Sequence, residues 1–245
     1  MGFLRLACYV LRPLGYTVLP TPLARPCAWG SDTVLGSFPP LSESNRIGNR
    51  AEYFIKGGYQ HRPEPAYFDD TRHSDESQLE VYRFAREICR RNGLSTVVDI
   101  GCGSGYKLLK YLGDMKTTGV DVAETCGWLR RKYPNRDWKE ISEFEKSAQP
   151  VDLVIAADVI EHVRDPDSFM SLIRKLGPRY VVLSTPDRNL LRDGSHNGPP
   201  TNPAHLREWS FDEFGAYVEE YFTLLEHFIS CAPQATQCVL GKPKD

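Results

Sequence analysis

The sequence holds no apolar run long enough to cross a bilayer, no Cys-x-x-Cys pair, no internal repeat and no excess of either charge. Its most apolar stretch, MGFLRLACYVLRPLGY, is broken by Arg5, Arg12 and Pro13 and falls short of the roughly 20 residues a transmembrane helix needs. The same stretch lacks the clean hydrophobic segment and cleavage site of a secretion signal. Its apolar residues Phe3, Leu6, Ala7, Val10, Leu11 and Leu14 recur at helical spacing. They read as a short helix docked on the domain, with a weak peripheral membrane contact as the second reading. Seven cysteines, odd in number and scattered, fit reduced thiols rather than a disulfide framework or a zinc site. That usage points to a cytoplasmic protein. With 30 Lys and Arg against 32 Asp and Glu, the net charge of −2 offers no positive field for a polyphosphate, so nucleic acid is not expected as a substrate.

What is present is enough for one sizeable core: 245 residues, 41% of them apolar. Residues 1–76 read as an N-terminal extension carrying the short helix and an irregular stretch rich in Pro, Gly, Ser and Asp. Within it the aromatics Tyr53, Phe54, Tyr59, Tyr67 and Phe68, interleaved with Gly57 and Gly58, are candidates for a lid over a site, or for plain packing on the domain. Regular alternation begins in residues 77–245. Leu79, Tyr82, Ala85, Ile88 and Cys89 make a helix face that ends at Asn92 and Gly93. Strand-like runs follow at Thr96 to Ile100, Thr117 to Val122, Val151 to Ala156 and Tyr180 to Ser184, with a faint one at Arg136 to Lys139. Strands alternating with helical patterns predict an α/β fold with a doubly wound, mostly parallel sheet. Near the end a Ser210-x-x-Glu213 capping box opens a helix, and two runs, Phe222 to Ser230 and Thr236 to Leu240, are close enough to require an antiparallel hairpin.

Three segments carry chemistry. In Val97-Val98-Asp99-Ile100-Gly101-Cys102-Gly103-Ser104-Gly105-Tyr106 an apolar strand runs into a glycine-rich turn and then a helix. Such a turn lets the backbone approach a ligand at the carboxyl end of the strand. Tyr106 stands where a pyrophosphate-binding fingerprint wants Gly or Ala, and Asp99 would repel a diphosphate but suits a cationic amino acid. In Gly119-Val120-Asp121-Val122 a strand ends on an acid 20 positions beyond Gly101, where ribose hydroxyls are bound in adenosine-binding sheets. In Val151 to Pro166 a third strand ends on Asp158, Glu161 and His162, polar residues facing the same crevice.

Taken together, VVDIGCGSGYK, GVDV and DLVIAADVIEHVRDP resemble the class I S-adenosylmethionine-dependent methyltransferases over roughly Gln78 to Leu240. The resemblance implies a Rossmann-like, seven-stranded sheet ending in the antiparallel hairpin, with S-adenosylmethionine as cofactor. It implies that Gly101 and Gly103 line the cofactor's methionine part, with Asp99, Cys102 and Gly105 completing that turn. It further implies that Asp121 holds the ribose, that Val122 packs on the adenine and that Ala157 and Asp158 border the sulfonium. The acid that often reaches the adenine amine has three rival positions, Glu140, Ser142 and Glu143. Small-molecule O-methyltransferases, including those of ubiquinone biosynthesis, carry a similar acid-x-x-Glu-His-Val-x-Asp-Pro run. In some relatives the acid, Glu and His bind magnesium. Here Asp158, Glu161 and His162 read first as a hydrogen-bonding cluster at a helix start and second as that metal site.

The insertion from Thr185 to Trp209 should wall the acceptor side, with His196, His205, Arg188, Arg192, Arg207 and Glu208 as candidate contacts. Methyl transfer from a sulfonium depends mainly on positioning, and a base is needed only where the nucleophile sheds a proton. His162 and His205 are the candidate catalytic bases. The phrase LRPLGYTVLP resembles openings of bacterial methyltransferases of surface-polysaccharide assembly, which implies a sugar or glycan intermediate as acceptor. The expected activity is therefore hydroxyl methylation of a small molecule or glycan. A nicotinamide-dependent oxidoreductase and a non-catalytic cofactor-binding protein are the alternatives.

Overall fold

Short runs of β-branched and apolar residues form most of the strands, and most are closed by a polar or glycine residue where the chain must turn. The computed structural model describes residues 52–66, 69, 71, 77–147 and 150–244. The helix read at residues 3–14 and the aromatics Tyr67 and Phe68 lie outside them. Among the described residues seven strands are formed: β1 (Thr96–Ile100), β2 (Lys116–Asp121), β3 (Asp137–Glu140), β4 (Leu153–Ala157), β5 (Tyr180–Pro186), β6 (Phe222–Cys231) and β7 (Thr236–Pro243). They join in one sheet of order β3-β2-β1-β4-β5-β7-β6, parallel except where β7 runs against both β5 and β6. This is the predicted doubly wound sheet with its terminal hairpin. The faint third strand is real: Trp138 pairs in register with Gly119 and Glu140 with Asp121.

Among the described residues seven α-helices connect or precede the strands: α1 (Leu79–Asn92), α2 (Tyr106–Leu112), α3 (Ala123–Lys132), α4 (Ile141–Ser147), α5 (Pro166–Lys175), α6 (Arg188–Leu191) and α7 (Phe211–Tyr221). α1 stops at Gly93, which takes a left-handed conformation and returns its N–H to the Cys89 carbonyl. α7 starts on the capping box read from the sequence, the Ser210 hydroxyl accepting from the Glu213 N–H while the Glu213 carboxylate accepts from the Ser210 N–H. Two apolar layers result. Leu108, Leu112, Leu129 and Tyr82 pack on one face of the sheet, and Phe144, Met170, Ile173, Phe214 and Val218 on the other. At the lower end Asp152 ties β1 to β4 by accepting from the N–H and hydroxyl groups of Ser95 and Thr96. These bonds, the Ser95 N–H foremost, hold its carboxyl down at about 2. No helix among the described residues is long and apolar enough to cross a membrane.

Residues 52–66 have no regular strand or long helix, yet they are built into the domain. Ile55 and Tyr59 are buried in the core layer that includes α5 and α7. Tyr53 and Phe54 pack edge-on against Tyr217. Of the lid candidates within the described residues, Tyr53 and Phe54 are thus seated on α7 and Tyr59 in the core.

Candidate functional site

Strand order reverses direction between β1 and β4, so the helices that follow these strands leave to opposite faces and open a crevice at their carboxyl ends. The glycine-rich turn lies there. Gly101, Gly103 and Gly105 have φ of 75, 50 and 69°, a region L-residues avoid. At Gly105 a Cβ would also lie 2.7 Å from the Trp138 ring and 2.9 Å from Leu129. Asp121 holds the turn from the neighbouring strand: its carboxylate accepts from the Gly103 N–H at 2.8 Å and from the Val122 N–H at 2.8 Å. Val122, 45% exposed, forms an apolar shelf beside it. Cys102 and Ala157 are buried and contribute backbone. Asp99 is fully buried under the turn, where its carboxylate accepts from the Tyr82 hydroxyl at 2.8 Å. Of the three rivals for the adenine amine, Glu140 and Glu143 both pair with Arg130, at 3.4 and 3.0 Å.

At the end of β4, Asp158 has a φ of 54°, a strained conformation for a residue with a side chain. It is fixed by bonds to its carboxylate from the Ser184 hydroxyl at 2.6 Å and the Gln78 amide at 3.1 Å. Burial raises its pKa. Asp158 is held by Ser184 and Gln78, and among the described residues the ligand atoms that lie within 4.8 Å of one another belong to Glu161, His162 and His205. The sequence trio is changed by one member: His205, read as a base candidate from a distant loop, joins where Asp158 was expected.

The geometry of this cluster follows from its supports. A short 3-10 turn (Ile160–His162) carries Glu161 and His162 directly after β4. The loop bearing His205 is docked on that turn by the Leu206 N–H, which donates to the Glu161 carbonyl at 2.8 Å. The His162 Nδ1 donates to the Ala204 carbonyl at 2.9 Å, which makes Nε2 the ring's acceptor nitrogen; it stands 3.9 Å from the Glu161 Oε1. The His205 Nδ1 donates to the Glu208 carboxylate at 2.7 Å, and its Nε2 accepts from the Asn202 amide at 2.9 Å. The two imidazoles meet edge to face with centroids 4.9 Å apart. Glu161 is fully buried. Its Oε2 accepts from the Thr185 hydroxyl at 2.9 Å, and its Oε1 has no hydrogen-bond partner among the described residues. Burial, reinforced by the Asp158 charge, pushes its pKa up to about 8. A carboxylate in this position calls for a proton or a cation at neutral pH.

The donor set fits a metal. Both histidines have Nδ1 held by an oxygen acceptor, the arrangement that orients imidazole ligands, and Glu208 supplies the supporting carboxylate to His205, whose Nε2 would exchange its bond from the Asn202 amide for the cation. Two imidazoles and one carboxylate suit a first-row divalent cation better than magnesium, which favours oxygen. The crevice likewise fits S-adenosylmethionine: carboxylates at its rim could accept from ribose hydroxyls and would tolerate a sulfonium, whereas they would repel a dinucleotide's diphosphate.

Several acceptor-wall candidates have structural work. Arg188 is buried and donates to both Glu213 oxygens and to the Glu208 carbonyl. Arg207 is buried and donates to the Val163 carbonyl at 2.5 Å and the Arg164 carbonyl at 3.0 Å. Arg192 is exposed and donates to the Thr201 hydroxyl, while the His196 Nδ1 accepts from the Gly198 N–H. Sequence reasoning missed Gln78, Tyr82, Ser184 and Thr185 as supports of the acids. No local signal marks them, because each acts across a gap of 17 to 80 residues in the chain.

Comparison with known proteins agrees with this fold. A family model described as a methyltransferase domain matches residues 72–227. A small RNA 2'-O-methyltransferase of Arabidopsis thaliana is 24% identical over 201 residues, which cover 68% of this chain and 21% of that protein. The chain thus spans about a fifth of that relative's length. Among solved structures, a SAM-dependent methyltransferase from Aquifex aeolicus superposes with a TM-score of 0.53 at 20% identity, covering 73% of this chain and all of that one. The 1,6-didemethyltoxoflavin-N1-methyltransferase of Burkholderia thailandensis, solved with S-adenosylhomocysteine, gives 0.52 at 18% identity, covering 70% and 80%. With the family model spanning well over half of its residues, the chain belongs to the methyltransferase-domain family, the S-adenosylmethionine-dependent enzymes of the class I fold.

Proposed function

We propose that this chain methylates a hydroxyl of a sugar or another small molecule, and that Glu161, His162 and His205 hold a divalent cation next to the acceptor. The carrying observation is the fully buried Glu161 carboxylate, whose Oε1 lacks a hydrogen-bond partner among the described residues and faces two imidazoles locked at Nδ1. Bound S-adenosylmethionine supplies an electrophilic methyl group on sulfur, transferred by in-line displacement. Asp121 accepts from the ribose hydroxyls with the carboxylate that already steadies the turn, and Gly101 and Gly103 give the methionine part room. Asp158, held by Ser184 and Gln78, borders the sulfonium with negative charge. A cation held there would supply positive charge that eases ionisation of the acceptor hydroxyl, whose proton passes to solvent as its oxygen takes the methyl and S-adenosylhomocysteine leaves. The Thr185 hydroxyl fixes the Glu161 Oε2, which leaves Oε1 for the cation.

A second reading rests on the relative from Arabidopsis thaliana, whose name assigns it the 2'-oxygen of small RNA. A ribose hydroxyl is also a sugar hydroxyl, so the same centre would serve it. The net charge of −2 favours an uncharged acceptor over a polyphosphate chain. The test is methyl transfer from labelled S-adenosylmethionine to panels of sugars, phenols and short RNAs, after chelation and with Mn²⁺ or Mg²⁺ restored. Activity lost on chelation, restored best by Mn²⁺ and absent in Glu161→Gln supports the proposal. Activity indifferent to chelation would select His162 as general base through Nε2 and refute the cation.

A further inference from the structure

Residues 59–66 run across the loop that carries His205 and are bonded to it along their length. The Gln60 N–H donates to the Asn197 carbonyl at 2.7 Å, the Arg62 N–H to the Leu206 carbonyl at 2.8 Å and the Ala66 N–H to the Pro203 carbonyl at 2.8 Å. Leu206 in turn donates its N–H to the Glu161 carbonyl at 2.8 Å. The backbone therefore forms a continuous relay from the turn that bears Glu161 and His162, through Leu206, to Arg62. His205 precedes the middle link of that relay.

Side chains reinforce the same joint. The Arg62 guanidinium donates to the His205 carbonyl at 3.2 Å and to the Pro200 carbonyl. The Tyr59 hydroxyl accepts from the Glu208 N–H at 3.0 Å, fixing the residue whose carboxylate orients the His205 ring. Arg207 completes the joint: its guanidinium stacks over the Tyr53 ring at 4.7 Å and bonds the carbonyls that follow His162. Loop residues without regular structure would otherwise hold a ligand histidine loosely, and errors of about 1 Å in such a centre are enough to impair it.

We infer that the segment 59–66 is a strap that sets the catalytic centre, and that Tyr59 and Arg62 are positioning residues acting through Glu208 and His205. The inference rests on the cation reading only for its functional consequence. The placement of the His205 ring stands apart from it.

The experiment uses the full chain with ¹⁵N-labelled histidine, with the His205 imidazole resonances assigned by their loss in His205→Gln. Arg62→Ala and Tyr59→Phe should shift or broaden those resonances, and Arg62→Lys, which keeps a donor for the carbonyls, should restore them. Mn²⁺ titrations should show affinity about tenfold weaker in Arg62→Ala and Tyr59→Phe, the lower end of the loss seen when an outer support of a metal ligand is removed. Affinity for S-adenosylhomocysteine should stay within about twofold, a split that a general loss of stability would not give. Unchanged His205 resonances in both variants, or parallel losses of the two affinities, would overturn the strap. If the wild type binds no Mn²⁺, the cation reading falls, and the histidine resonances alone decide the strap.

Discussion

Replacing Gly119 by alanine should strain the glycine-rich turn chiefly through one side chain, Trp138. A Cβ at position 119 would lie 2.4 Å from the Trp138 Cε3 and Cζ3 and 2.9 Å from the Cys102 Sγ. Carbon atoms in contact stand about 3.5 to 4.0 Å apart, so the indole must retreat by more than about 1 Å. It has little room, since Trp138 is 4% exposed and its Nε1 donates to the Tyr133 carbonyl at 3.0 Å. Overpacking of this kind costs about 1 to 3 kcal/mol, and the backbone of a central strand puts this case near the upper end. Because the same indole lies against Gly105, a displaced ring also disturbs the turn that binds the cofactor. Trp138→Leu destabilises on its own by opening a cavity, but it removes the ring atoms that make the two shortest contacts and leaves only the Cys102 Sγ contact. The two changes should therefore couple favourably by about 2 kcal/mol in a double-mutant cycle read by urea unfolding. S-adenosylhomocysteine titration of Gly119→Ala should show weaker binding, partly recovered in the double variant. Additivity within about 0.5 kcal/mol would refute the reasoning, because it would mean that Trp138 is not what the new methyl meets.

Two other outcomes follow from the same structure. Asp121→Ala removes the acceptor of the Gly103 and Val122 N–H groups and, on the proposed function, the ribose partner. At about 1.5 kcal/mol for each of two charge-assisted bonds, calorimetry should find affinity for S-adenosylhomocysteine about 100-fold weaker or worse. His227 is stacked on Phe211 with ring centroids 3.6 Å apart, and burial lowers its pKa to about 4 from 6.5. Because the unfolded chain takes up this proton first, the stability gained by keeping His227 neutral is present above pH 6.5. It is lost as the pH falls through that value toward 4. The stability of the wild type relative to His227→Phe should thus fall by up to about 1.4 kcal/mol per pH unit across this window, and a difference flat with pH would contradict the burial.

Much of the fold was legible because its signals are local. The strand at Thr96 to Ile100 and the capping box at Ser210 and Glu213 were read with their boundaries, since β-branched runs and capping side chains act within a few residues. The third strand was faint because DWKE carries one large apolar residue. It is held in place by pairing with β2 and by Trp138 packing on Gly119, neither of which a local pattern records. The cofactor turn was legible for a related reason: glycines at positive φ are required there whatever surrounds them.

The sequence by itself determined the doubly wound sheet, the glycine turn at the end of β1 and the acid at the end of β2, because spacing along one strand and its turn settles all three. Tertiary structure alone decided the membership of the centre. Glu161 and His162 are neighbours in the chain, but His205 reaches them only because Leu206 docks on the Glu161 carbonyl and Arg62 closes over the loop from more than 140 residues away. Asp158, adjacent in sequence, is drawn off by Ser184 and Gln78 from another strand and another helix start. Hydrogen bonds between distant segments fix side-chain direction, and direction, rather than spacing, determines which groups can share one ion.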